Sequence, residues 1–161
     1  MAMPTRLPAQ ALIAAIQSAR YPWWFPEGAK GLAVDEFNNS TDFLPLAAGA
    51  AQTNTILISN DAAFVILEAT MVLTDTTNLV FFAQRPVMVD LFDSASGRKF
   101  SNTPVHADNW FGTAQLPALW KLPKVLAPNG AFNVTLTNLD PANARNVRVS
   151  FNGFKIFGFA P

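Results

Sequence analysis

The chain has 161 residues, 50% hydrophobic and only 14% charged, with 11 Lys and Arg balancing 11 Asp and Glu. That length suits one domain, and a charged share well below the usual ~25% leaves little to oppose association. Zero net charge, with basic residues scattered from Arg6 to Lys155, argues against direct nucleic-acid binding, and the lack of cysteine excludes disulfides, thiolate metal sites and a Cys nucleophile.

No run reaches the roughly 18 apolar residues of a membrane span. The opening MAMPTRLPAQ lacks the basic-then-apolar order of a signal peptide, so no membrane partner or export is expected.

Residues 8 to 20 are Ala-rich and predict a short helix, with Leu12, Ile13 and Ile16 as its apolar stripe. Arg20 sits in the last turn and Pro22 stops the helix. RYPWWFPEG follows, placing Tyr21, Trp23, Trp24 and Phe25 between Pro22 and Pro26. Neither helix nor strand accommodates that run, so it plugs a core or anchors a partner. A Gly- and Asn-containing stretch comes next. Residues 1–45 therefore read as an N-terminal arm, and 46–161 as a β-domain.

Within the β-domain, strands are predicted near 52–60, 64–75 and 86–93. SASGRKF is a turn, with Gly97 free to take positive φ. Residues 116–130 hold three prolines and read as an edge strand or a long crossing loop. Residues 131–139 alternate cleanly, with Phe132, Val134 and Leu136 on one face and Asn133, Thr135 and Thr137 on the other. The final strand turns Val147, Val149 and Phe151 inward; a bulge at Gly153 is expected to bring Phe154 and Ile156 into the same phase. Short strands between turns, with no helical pattern among them, predict an all-β antiparallel jelly-roll sandwich of about eight strands.

The search for chemistry is short. His106, the single histidine, shares a face with Asp108 on an extended segment, the spacing of a base and its orienter, yet no G-x-S-x-G nucleophile turn occurs. Asp90 and Asp93 would face opposite sides of a strand, which argues against a paired-carboxylate site. DSASG lacks the further ligands of a calcium loop, and one His without Cys is a poor metal set. Trp110 and Trp120, with Trp23 and Trp24, could form a sugar-stacking platform, so a sugar-binding or tail-fibre module is the alternative reading. No catalytic residue, cofactor or metal is assigned.

FVILEATMVLTD followed by RPVMVDLFDSASGRKFSNTPV, then LPKVLAPNGAFNVTLTNLD and the closing NVRVSFNGFKIFGF, resemble the layout of the jelly-roll cement (decoration) proteins of tailed-bacteriophage capsids over roughly residues 55 to 159. The resemblance implies a structural role on the capsid exterior, assembled in the host cytoplasm, with the major capsid protein as partner. Tyr21, Trp23, Trp24 and Phe25 would then be interface anchors. Sheet edges in such a sandwich need covering, and self-association is expected, a homodimer first and a trimer next.

Overall fold

The computed structural model describes residues 9–77, 85–113 and 115–161. Among these, helix α1 (Ala9–Gln17) precedes nine strands: β1 (Val34–Leu46), β2 (Ala51–Leu57), β3 (Ala62–Asp75), β4 (Val87–Asp93), β5 (Arg98–Lys99), β6 (Val105–His106), β7 (Ala118–Leu126), β8 (Ala131–Asn138) and β9 (Arg145–Phe157). They make two antiparallel sheets. One runs β1-β9-β3-β7; the other runs β2-β8-β4-β5, with β6 also on β4. With β5 and β6 taken as two pieces of one strand beside β4, eight positions remain. The chain crosses between sheets at most connections, the winding of a jelly roll. This is the predicted all-β sandwich.

The facing sheet surfaces hold one apolar core. Phe132, Val134 and Leu136 of β8 and Val87, Val89 and Leu91 of β4 meet Phe43, Met71, Leu73, Val147, Val149 and Phe151 of the other sheet. Each such side chain contributes roughly 1.5–3 kcal/mol by leaving water.

Two readings change, and the choice left open for residues 116–130 is resolved. Residues 34–46, placed in the arm up to residue 45, are a strand paired with β9 along nearly its whole length. Its signal was faint because β1 is an edge strand largely open to water, with only Val34, Phe43 and Leu46 buried. The stretch 116–130 contains an edge strand, β7. Its residues 120–123 leave the ladder opposite Leu67, between Ile66↔Lys124 and Glu68↔Leu119. The bulge expected at Gly153 lies instead on the neighbouring strand. β3 skips Leu67 between Ile66↔Gly153 and Glu68↔Asn152, while β9 holds its register with β1 from Val34↔Ile156 through Gly153 to Phe43↔Val147. Gly153 is required for a different reason. A Cβ there would sit 1.8 Å from the Val65 carbonyl oxygen. Phe154 and Ile156 therefore keep the alternation and point away from the interior.

Polar corners fix the ends of the sandwich. Asn138 is buried, and its amide donates to the carbonyls of Ala47 at 3.2 Å and Asn143 at 2.9 Å while its Oδ1 accepts from Asp140 N at 3.0 Å. Asp140 in turn accepts from Ala142 N, from Asn143 and from Arg145; the Ala142 N–H foremost holds its carboxyl down at about 2. The 94–97 turn hangs on buried Asp93, which accepts from Ala95 N at 3.1 Å and from the Ser96 hydroxyl, with Gly97 at φ +67°.

Candidate functional site

The outer face of the β1-β9-β3-β7 sheet is polar along one half. Asn38, Asn152 and Glu68 form an amide–carboxylate chain across it, and Arg148 clamps Asp42 with two 2.6 Å bonds. Arg148, through those hydrogen bonds, holds the Asp42 carboxyl below its ordinary range. The other half is apolar, formed by Val34, Val65, Leu67, Phe154 and Ile156, and here the N-terminal segment lies down. Ile13 and Ile16 of α1 are buried in this second cluster with Phe25 and Ala29.

Helix α1 ends in a left-handed cap that redirects the chain. Ala19 takes φ 58°, Arg20 N donates to Ala15 O at 2.8 Å and Ala19 N to Ile16 O at 3.0 Å. The Gln17 amide donates to Val34 O at 3.2 Å, fastening the helix to the sheet edge. Past Pro22 a tight turn forms, with Phe25 N donating to Pro22 O at 2.9 Å. The prolines thus set the turns that aim the aromatics.

The four aromatics separate by environment. Phe25 is 4% exposed and stacks near Phe154, with centroids 6.3 Å apart. Tyr21 stacks on Phe25 at 4.9 Å, and its hydroxyl accepts from Gly31 N at 2.6 Å. Trp24 is half-buried against Phe154 at 6.5 Å. Trp23 is 85% exposed. Within the chain, Phe25 fills the second apolar cluster, Tyr21 and Trp24 frame it, and Trp23 stands clear. The sequence carried one sign of the patch beneath: the unbroken apolar run at the start of β3, where Ala62 to Leu67 are all buried, means a strand covered on both faces.

His106 and Asp108 do come together, with His106 Nδ1 3.3 Å from Asp108 Oδ2. The other carboxylate oxygen is taken by Arg85, whose Nε lies 2.8 Å away and whose Nη1 donates to Gly112 O at 3.0 Å. The pair thereby joins a brace between the start of β4 and the 107–112 loop. Trp120 is buried, donates its indole N–H to Trp110 O at 3.1 Å, and packs edge-on to Phe151. Asp90 faces outward to Lys99 at 3.0 Å, while Asp93 is enclosed in its turn, so the two carboxylates diverge. Among the described residues no group of three or more His, Asp or Glu is placed to hold a metal ion, and no helix is long and apolar enough to cross a membrane.

The fold and this face define an all-β sandwich with an arm docked on one sheet. No family model and no curated protein matches the sequence. Among solved structures, the chain is similar to the VP2 subviral particle of infectious bursal disease virus, at 12% identity over 80% of this chain, with a TM-score of 0.35. It spans about a third (33%) of the length of that protein. A likeness this distant leaves the function to be read from the chain's own surface.

Proposed function

We propose that this protein is a structural component of a virus particle that binds the outside of a tailed-bacteriophage capsid and clamps neighbouring major capsid protein subunits. The observation that carries the reading is Trp23: a bare indole, 85% exposed, on a segment pinned by Phe25, Tyr21 and the Gln17–Val34 bond. A large aromatic carried in water on a pinned segment contributes little to its own fold, but it supplies an anchor for a partner's pocket at reduced ordering cost. The layout resemblance to cement proteins supplies the partner class, and a sparsely charged surface suits a protein that spends its life in contact. A clamp needs area and geometry rather than reactive groups.

Co-sedimentation with purified shells tests this. The wild-type chain should pellet with shells, and Trp23→Ala should weaken binding by about tenfold or more while its unfolding free energy stays within about 0.5 kcal/mol of wild type. Unchanged shell binding by Trp23→Ala, or absence of the protein from purified particles, would sink the proposal.

A further inference from the structure

The two edges of the β1-β9-β3-β7 sheet carry opposite charge at the same height. Three rows cross the sheet: Asp35–Lys155–Phe64–Leu126, Glu36–Phe154–Val65–Val125 and Phe37–Gly153–Ile66–Lys124. At the β1 end, Asp35 and Glu36 are exposed beside Phe37 and Leu32, each 37% exposed. Lys155, the cation beside Asp35 in those rows, already lies 3.9 Å over the Phe37 ring.

The β7 end is basic. A groove of about 620 Å³ between the 93–100 hairpin and β7 is lined by Arg98, Lys99 and Lys124; an adjoining one of about 360 Å³ adds Lys121, with Leu122, 50% exposed, on the rim of both. Four of the chain's 11 basic residues, scattered in sequence, thus meet beside β7: Lys121 and Lys124 on the strand itself, and Arg98 and Lys99 from β5 of the facing sheet, Lys99 being paired with Asp90 at 3.0 Å. Asp93 is the acid among the groove linings, and it is buried and engaged by its turn. In a chain of zero net charge, this sets an acidic side of the sandwich at β1 against a basic side at β7.

We propose that copies of this chain associate head to tail, the acidic β1 edge of one, residues 35–37, docking against the basic β7 edge of the next, at Lys121, Leu122 and Lys124. Each neighbouring pair in the sheet is antiparallel, so β7 runs opposite to β1. A second copy displaced along the rows therefore continues the alternation, with its Asp35 and Glu36 beside Lys124 to Leu126. Pro123 offers no N–H and residues 120–123 lie off the ladder, so side chains and charge dominate the contact. On β1 the contact falls between Val34 O and Asp42 O, which already accept from Gln17 and Asn54.

A two-fold edge-to-edge dimer would set acid on acid or base on base, which costs energy. The head-to-tail contact joins unlike patches, so it closes as a ring or grows as an open chain. The inference stands independently of the capsid reading.

Sedimentation velocity on the full chain decides it, at about 0.05 M and about 0.5 M salt, on either side of the ionic strength where the screening length is about 10 Å. Wild type should associate at low salt and dissociate at high salt. Asp35→Lys with Glu36→Lys, and separately Lys121→Glu with Lys124→Glu, should each weaken self-association by about tenfold or more. Both variants should keep the wild-type circular dichroism, since Asp35, Glu36 and Lys121 are exposed and half-buried Lys124 gives up only its cation–π contact, 5.5 Å from the Phe100 ring. Mixed in equal amounts, the two should associate again, because each then offers the charge the other lacks. A wild type that stays monomeric at both salts, reversals without effect, or a mixture that stays dissociated would overturn the proposal.

Discussion

Between the sheets, Val147, Val149 and Phe151 of β9 meet Phe132, Val134 and Leu136, brought together by strand winding. Further along the same strand, Phe154 and Ile156 turn the other way and meet Ile13, Ile16 and Phe25, brought there by a short arm. The inner cluster is closed by topology: opening it means separating two sheets. The outer one is closed by a single segment with three fastenings, namely the buried isoleucines, the Gln17–Val34 bond and the stacked Tyr21–Phe25–Phe154 rings. Apolar surface on the two faces of one strand is thus buried with unequal resistance to opening, since a segment with few contacts can detach without the rest.

The largest effect expected is at the boundary of the two clusters. Gly153→Ala forces a Cβ into the Val65 carbonyl and should cost about 3 kcal/mol or more, lowering the midpoint of urea unfolding for the whole sandwich. A near-wild-type midpoint would mean that β3 and β9 can part there without loss. Next is Phe25→Ala, worth about 3 kcal/mol to the outer cluster. Its effect should be regional, with amide exchange in α1 accelerating about a hundredfold while β8 amides keep their protection. Equal acceleration in β8 would show that the two clusters open as one. The smallest effect is at the helix end. Ala19→Gly relieves a left-handed residue and should slow α1 exchange by the equivalent of about 0.5–1 kcal/mol, leaving the inner cluster unmoved.

These differences also explain what could be read from the chain. β8 alternates apolar with polar and β4 alternates fully buried with half-buried side chains, and a strand with one wetter face announces both its period and its phase. β1 gave no such alternation because most of its side chains on both faces meet solvent. At Gly153 the difficulty was the reverse: when both faces of a strand are apolar, hydrophobicity carries no phase, and Phe154 and Ile156 could be assigned to either side. The aromatic run shows the same limit. Its prolines mark a turn-bound segment, but no period separates Phe25, which goes under, from Trp23, which stays out. The spacing of His106 and Asp108 was legible, whereas Arg85, which claims the carboxylate, arrives from a distant part of the chain and left no local sign.

The position of Trp23 also makes it an optical reporter. An indole in water emits at longer wavelength than one enclosed by protein, and Trp120, buried beside Phe151, sits at the opposite extreme. A partner that covers Trp23 would shift the intrinsic emission to the blue with no label added, and Trp23→Phe would erase that shift while leaving the signal from the interior in place.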